Sequence, residues 1–368
     1  MQPMRVCVLF YENPGEGQAG RDAVVSQVAS ALQENGHQVS LLGISNDLRR
    51  LIDWLTKNKP DMVFNLCETF DDIDAHEMHV AAVLEMLGQP FTGSSPSRMA
   101  IRQDKALTKK VLAFHGVLTP QFATFEKQNI EFAGRMRFPM LVKPQHGDAS
   151  LGIHDASVVN DYKSLLTRIS NIHNELNDAA IVEEYIDGRE IFVGVLGNPP
   201  EPLPLVEIDF SELPLSHPRI FSREAKFDVA SPQYNGTTLV IAEDLTPETS
   251  SRVVRAGIES VRALGLTDYG RVDIRLAPDG SPYVVEVNAN PYLEQGGAIA
   301  TAAEEAGIAY PQLINRILDC ARKRWYPPQT ARAGAKARLL GSASQPGEGT
   351  RLKQPQARGL ERAAKLNA

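Results

Sequence analysis

The 368-residue sequence predicts a soluble protein of mixed α/β and α+β class, with two or three domains and a basic tail. Three observations predict it. Strand-like and helix-like segments alternate through the first third, as in a parallel sheet with crossover helices. Further on, short β-rich runs flank Asp-Gly turn signals, as in antiparallel hairpins. The composition, 43% hydrophobic and 23% charged, is ordinary for a globular chain long enough to bury several cores.

The elements follow in order. Arg5–Phe10 is a Val-rich apolar run, the pattern of a buried strand. A Gly/Pro/Glu loop spans Glu12–Gly20. Asp22–Asn35 has apolar residues at helical spacing and is stopped by Gly36. Gln38–Ile44 reads as a strand, Leu48–Lys57 as a helix, Asp61–Leu66 as a strand and Asp74–Leu87 as a helix. The loop FTGSSPS closes the unit near residue 97. One long amphipathic helix is expected over Arg98–His115, carrying Lys105, Lys109 and Lys110. Phe138–Lys143 is a strand running into a glycine-bearing loop, Gly147–Gly152, and Asp161–Asn174 is helical. Ala180–Ile186 and Glu190–Leu196 are read as a hairpin about Asp187-Gly188. Thr246–Leu264 is a helix with Pro247 in its first turn. Tyr269–Leu276 and Tyr283–Val287 form a hairpin about Pro278-Asp279-Gly280, and Tyr310–Arg324 is the last helix.

Charge and targeting signals narrow the function classes. The net charge of -7 divides unevenly: residues 327–368 carry eight Lys or Arg and two Glu, whereas residues 1–326 carry 30 basic against 43 acidic residues. An acidic body disfavours nucleic acid as the main partner. The basic tail, poor in large apolar residues, is expected to be disordered and solubilising. No run of roughly 18 apolar residues appears, so no membrane span is expected. The N-terminus lacks a signal-peptide layout, and Cys7, Cys67 and Cys320 are too few and scattered for a disulfide framework or zinc cage. A reducing cytoplasm is the expected compartment.

The most informative stretch is YGRVDIRLAPDGSPYVVEVNANP. With the turn centred on Asp279-Gly280, Asp273 falls opposite Glu286. Alternation puts Val272, Ile274, Val285 and Val287 on the apolar face, and Arg271, Asp273, Glu286 and Asn288 on the other. Two carboxylates facing one another across a ladder repel. A divalent cation removes that penalty, and two carboxylates with an Asn carbonyl are hard oxygen ligands suited to magnesium. The competing arrangement is a solvated hairpin in which Arg271 and Arg275 pair the acids.

A second stretch, FPMLVKPQHGDASLGI, places Lys143 at a strand end before Gly147, Ser150 and Gly152. Small residues let backbone N–H groups approach phosphate oxygens, and Lys143 adds a cation. This is not a GxxxxGK[ST] loop. Lys105, Lys226, Glu183, Glu184 and Glu190 are unremarkable taken singly. His76 and His79 share a helix face without an evident third metal ligand, and Cys67 ends a strand near the expected cleft.

Together these pieces resemble the ATP-grasp superfamily, most closely the D-alanine–D-alanine ligase family. Six segments carry the resemblance in the family's order: VFNLCE with AVLEMLGQPFTGSS, QDKALTKKVLAFHGVLTPQF, FPMLVKPQHGDASLGI, IVEEYIDGREIFVGVLG, SREAKF, and YGRVDIRL with YVVEVNANP. It implies an ATP-grasp fold with an N-terminal Rossmann-like parallel α/β domain (1–95), a central lid domain (96–186), a C-terminal catalytic domain (187–326) and a tail (327–368). It implies that Lys105 and Lys143 hold ATP phosphates, with Gly147, Ser150 and Gly152 in a lid over them. Glu183 is expected at the adenine amino group, Tyr185 and Ile186 along the adenine, and Glu190 at the ribose. Lys226 would reach the γ-phosphate from a mobile loop. Asp273, Glu286 and Asn288 would hold two Mg²⁺ ions (Mn²⁺ being an alternative). Arg271, with Lys226 and Ser150, would serve the chemistry.

The implied activity is ATP-dependent joining of a carboxylate to an amine through an acyl phosphate, on small amino-acid or peptide-like substrates, in a homodimer. Departures from the family cluster on the substrate side. Its substrate-binding Glu is matched only by Glu12 or Glu16, its paired serines by Ala149-Ser150, and its Tyr after the mobile-loop Lys by Phe227. These changes favour another carboxylate and amine over D-alanyl-D-alanine synthesis for peptidoglycan, the alternative. A non-catalytic ATP-binding regulator is a further alternative, opposed by the presence of Arg271 and every metal ligand.

Overall fold

The computed structural model describes residues 2–13, 22–127, 130–133 (backbone only), 136–147 and 150–327. Glu16, Ala149 and the basic tail from residue 328 lie outside the described residues.

The chain begins with β1 (Arg5–Tyr11), α1 (Ala23–Glu34), β2 (Gln38–Ile44), α2 (Leu48–Asn58), β3 (Met62–Leu66) and α3 (Glu77–Met86). The strands form a parallel sheet of order β2-β1-β3. Central β1 is apolar along its length because both of its faces are buried. Val6, Val8 and Phe10 pack into one core with α1, while Cys7 and Leu9 pack into another with Val63 and Leu84. Asp22 and Asp47 cap α1 and α2, accepting from Val24 N and Arg49 N. The turn expected to open the third helix at Asp74 is instead a 3₁₀ turn, Asp74–His76.

The long helix expected over Arg98–His115 is two helices, α4 (Pro96–Gln103) and α5 (Lys105–Phe114). Asp104 breaks it. Its backbone is extended, its carboxylate caps α5 by accepting from Leu107 N at 3.0 Å, and it accepts from Gln145 Nε2 at 3.1 Å. The break turns Lys105 toward the glycine-bearing loop.

Then come β4 (Phe122–Phe125), β5 (Ile130–Ala133), β6 (Met140–Pro144), β7 (Val158–Val159), α6 (Tyr162–Asn171) and β8 (Ala180–Glu184), a sheet of order β5-β4-β8-β6-β7. The last turn of the expected helix to Asn174 is a π-turn, Ile172–Leu176.

The remaining elements are β9 (Arg189–Leu196), β10 (Glu201–Pro202), β11 (Val206–Asp209), α7 (Arg223–Phe227), α8 (Pro232–Asn235), β12 (Thr238–Ile241), α9 (Pro247–Leu264), β13 (Tyr269–Leu276), β14 (Pro282–Asn288), α10 (Ala298–Glu305) and α11 (Tyr310–Trp325). Their sheet runs β12-β11-β9-β13-β14, with β10 on β9.

The hairpin expected about Asp187-Gly188 does not exist. β8 pairs with β4 and β6, whereas β9 pairs with β11 and β13, so this turn carries the chain from one sheet to the next. Gly188 has φ +144°, and a Cβ there would meet the Leu276 carbonyl oxygen at 2.1 Å. The turn needs glycine for that close crossing rather than for a hairpin.

α9 lies over β9 and β13, joining Val253, Val261 and Leu264 to Val193, Val272 and Ile274. This core continues into Cys7 and Leu9 of β1, so the parallel sheet and the β9–β14 sheet share one apolar interior. Arg324 ties the join: it meets buried Asp268 at 2.6 Å, and Asp268 also accepts from Gly93 N at 2.9 Å.

Candidate active site

The β13–β14 hairpin places the acids where the sequence puts them. Arg271 lies opposite Asn288, Val272 opposite Val287 and Asp273 opposite Glu286. Beyond Asp273 the register shifts, so that Ile274 pairs with Val284. Val285 is therefore a bulge residue. The core position expected for Val285 belongs to Val284, which is fully buried, while Val285 turns to the cavity.

The acids do not stand alone. Arg271 grips Asp273 with a two-pronged bond, Nε and Nη2 donating to Oδ1 and Oδ2 at 2.7 and 2.9 Å. Asn288 Nδ2 donates to Asp273 Oδ2 at 3.2 Å. One half of the competing arrangement is thus present. The other is not: Arg275 pairs with Glu190 at 3.1 Å and donates to the Ile186 carbonyl at 3.0 Å. Glu286 is less buried than Asp273 and has Lys105 Nζ 3.9 Å away. The donor chemistry fits magnesium, since two carboxylates and a carboxamide converge on one edge of the hairpin. Both Asp273 oxygens now accept from Arg271, so a cation there would compete with the guanidinium.

Facing the hairpin is a set of lysines around one carboxylate. Glu183, on β8 and buried, lies 3.0 Å from Lys143 Nζ and 3.4 Å from Lys109 Nζ. Burial pushes Glu183 up, but Lys109 and Lys143 outweigh it and hold the carboxyl below its usual range. Burial pulls Lys143 down, and Glu183 with Glu286 overcomes it, leaving the ammonium raised. For Lys109 burial wins, and its pKa falls to about 8. Lys109 is the site residue that sequence reasoning missed. It sits four residues after Lys105 on α5, a spacing that puts both on one helix face.

The glycine-bearing loop is anchored from below. Lys105 Nζ donates to the Gly147 carbonyl at 2.6 Å, and His146 Nδ1 meets Asp178 at 2.7 Å. Ser150 Oγ donates to the Phe221 carbonyl at 3.1 Å. Gly152 has φ +65°, and a Cβ there would collide with Leu176 at 2.7 Å, so this glycine shapes the loop and does not line the cavity. Lys226 is not on an irregular loop but on the short helix α7, capped by Ser222. Its ammonium lies 5.0 Å over the Phe221 ring. Burial and the Arg271 charge lower its pKa.

One cavity gathers most of the expected residues: Lys143, Ser150, Glu183, Tyr185, Ile186, Glu190, Lys226, Asp273 and Glu286 all line it. Lys105 joins through its ion pair with Glu286, and Arg271 and Asn288 join through their bonds to Asp273. The Tyr185 ring lies under the Arg275 guanidinium at 5.6 Å. Burial raises Glu190, only partly offset by Arg275.

A second cavity, which no motif announces, opens at the C-terminal ends of β1 and β3. Tyr11, Asp22, Asn65, Glu68 and Tyr292 line it, with Cys67 in the wall. Tyr292 donates to Asp22 Oδ1 at 2.5 Å. Glu12 does not line it; that carboxylate pairs with Arg50 at 3.1 Å. Phe227 is 60% exposed, with the Arg223 guanidinium 5.3 Å over its ring. The absence of a hydroxyl there therefore removes no buried anchor. His76 bonds the Phe70 carbonyl at 3.1 Å, and its ring lies tilted against that of His79 with centroids 5.2 Å apart.

A cavity between the lysine-bearing β5-β4-β8-β6-β7 sheet and an acidic hairpin is an arrangement of the ATP-grasp class. Comparison with known proteins agrees. The model for the D-ala D-ala ligase C-terminus matches residues 108–319. An uncharacterized protein, y4sG, of Sinorhizobium fredii is 36% identical over 82% of this chain and 88% of its own length. The D-alanine–D-alanine ligase A of Bacillus cereus is 30% identical over 74% of this chain and 91% of its own. The solved D-alanine–D-alanine ligase of Bacillus anthracis complexed with ATP superposes with a TM-score of 0.68, covering 88% of this chain and 98% of that one at 24% identity. The chain belongs to the D-alanine–D-alanine ligase family and is an ATP-dependent ligase of the class that forms carbon–nitrogen bonds.

Proposed function

We propose that the protein joins a small carboxylate to an amine through an acyl phosphate, on substrates other than a pair of D-alanines. The observation that carries the ligase reading is the facing pair Asp273 and Glu286, set beside Arg271 and across from Lys143 and Lys105; the unlike substrate is supported by Glu12, which pairs with Arg50 and does not line the second cavity. A carboxylate is a poor electrophile, and phosphorylation by ATP turns one of its oxygens into a leaving group. The protein's contribution is positioning and charge neutralisation. Lys105 and Lys143 take the phosphates, Tyr185 and Ile186 flank the base, Glu183 meets its amino group and Glu190 holds the ribose. Asp273, Glu286 and Asn288 would hold Mg²⁺, which spreads phosphate charge when bound. Arg271 and Lys226 steady the negative charge on the reacting phosphate and acyl oxygen, and Ser150 closes the lid over them. Water exclusion by that lid spares the acyl phosphate from hydrolysis.

The second cavity supports the amine half. Its described lining carries Asp22 and Glu68 but no Lys, Arg or His, which suits an ammonium group. The same reading divides the folded chain into units 1–95, 96–186 and 187–326 and places it in the cytoplasm, where ATP is supplied. Among the described residues no helix is long and apolar enough to cross a membrane.

Arg271→Ala tests the assignment. It is expected to bind ATP with little change and to lose turnover by on the order of a hundredfold. Turnover equal to wild type would remove Arg271 from the chemistry.

A further inference from the structure

The loop after Gly147 and the segment that carries Lys226 meet through three contacts. Ser150 Oγ donates to the Phe221 carbonyl at 3.1 Å, and Arg223 N donates to the Ile153 carbonyl at 3.0 Å. The third contact is made by side chains alone. His217 Nδ1 meets Asp155 Oδ2 at 2.5 Å, and Gln233 Nε2 donates to the same oxygen at 3.0 Å. With the Nδ1 proton on His217, both partners donate to one carboxylate oxygen.

These contacts bracket α7. His217 and Phe221 precede it, Arg223 opens it, and Gln233 follows it on α8. The bracketed segment is also folded on itself, since Ser231 Oγ donates to the Glu224 carbonyl at 3.2 Å. Asp155 thus grips the segment on both sides of Lys226. Lys226 makes no ion pair among the described residues, and its ammonium is steered only by the Phe221 ring and longer-range charges. The place of that ammonium therefore follows the place of α7.

We propose that Asp155 and His217 are positioning residues: their bond couples closure of the 150–157 loop to delivery of the Lys226 ammonium into the cavity. The inference rests on the reading of Lys226 as a cation of the nucleotide site. Two of the three contacts use backbone groups or a small hydroxyl, and the Asp155–His217 bond is the one that specific side chains must supply. Asp155 is a residue of the β5-β4-β8-β6-β7 unit and His217 of the β9–β14 unit, so the bond crosses from one sheet's loops to the other's.

The test is acylation of lysines in the full-length protein by acetic anhydride, mapped by peptide mass, with exposed Lys163 as internal standard. Asp155→Ala and His217→Ala are expected to label Lys226 about tenfold faster than wild type, the effect of losing one charged hydrogen bond. The double variant should be no faster than either single one. His217→Gln, which keeps a donor for Asp155, should label Lys226 as slowly as wild type, a rescue that a merely structural role would not require. Equal rates in wild type and Asp155→Ala, or His217→Gln as fast as His217→Ala, would overturn the proposal. A non-hydrolysable ATP analogue with Mg²⁺ separates the two readings. If the variants expose Lys226 but the analogue protects it in no protein, the clasp stands and the nucleotide reading falls. If the analogue protects Lys226 in every protein and the bare rates are equal, the nucleotide reading stands and the clasp falls.

Discussion

Asp273 and Glu286 lie directly opposite one another across β13 and β14, and two irregularities cancel to put them there. The end of the hairpin pairs Leu276 with Pro282, a register centred on Asp279 rather than between Asp279 and Gly280. The bulge at Val285 then restores the other register for Asp273, Val272 and Arg271. A regular ladder continued from Leu276 and Pro282 would have set Asp273 against Val285 and removed the facing carboxylates. Bulges are common beside active sites because they re-aim side chains in this way.

Glu286→Gln removes one of the facing charges and should leave stability within about 1 kcal/mol of wild type, since the repulsion from Asp273 and the part-exposed ion pair with Lys105 at 3.9 Å offset one another. Its turnover should fall about a hundredfold and its Mg²⁺ requirement rise. Denaturant titration and a Mg²⁺ dependence of phosphate release check both.

Glu183 is the counter-charge of two buried lysines. Glu183→Leu leaves Lys109 and Lys143 without it and should cost about 3 kcal/mol or more. Lys143→Met leaves Glu183 with Lys109, so its stability loss should be smaller while its affinity for ATP drops. Thermal unfolding with and without ATP distinguishes the two.

His146 is held above its usual range mainly by its bond to Asp178, against the pull of burial. Burial pushes Asp178 up, but the bonds from His146 bring it below its usual range. A histidine raised in the folded state contributes stability that is full below its unfolded value of 6.5 and lost as pH rises through the folded value. The aspartate contributes above its unfolded value of 3.8 and loses that as pH falls through its lowered one. The wild-type advantage over His146→Gln should therefore be greatest between those two unfolded values and should shrink at alkaline pH. Tm measured for both proteins from acid to alkaline buffer gives the sign.

Phe227→Tyr should change stability by less than about 0.5 kcal/mol, because the new hydroxyl faces solvent. Activity should also be unchanged. A large gain in D-alanine-dependent phosphate release would show that the exposed ring closes onto the substrate.

The acids of the hairpin were legible because a strand alternates by two and a Pro-Asp-Gly turn marks the hairpin, although the centre assumed between Asp279 and Gly280 holds for Asp273 and Glu286 only because the bulge offsets the turn's own register. The bulge was not, since the pattern YVVEV offers two adjacent valines and only packing decides which is buried. The break at Asp104 had a signal, an aspartate in N-cap position ahead of Lys105, which a continuous amphipathic pattern outweighed. The Asp187-Gly188 turn illustrates the opposite limit: hairpin and sheet crossing use the same turn residues, and the partners of β8 and β9 are chosen by distant strands. Lys109 was given no role and Arg275 the wrong partner because an isolated basic residue gains meaning only from the carboxylate that the fold brings to it, Glu183 and Glu190 here. The second cavity depends on ends of β1 and β3 and on Tyr292, segments far apart in the chain.

Phosphate release from Mg·ATP, measured with amino acids, dipeptides and small carboxylates supplied singly and in pairs, with products identified by mass, tests the central claim most directly. The account predicts phosphate release that requires one carboxylate together with one amine and yields a product equal to their combined mass less one water. D-alanine alone supporting the full rate, or phosphate released without any condensed product, would contradict it.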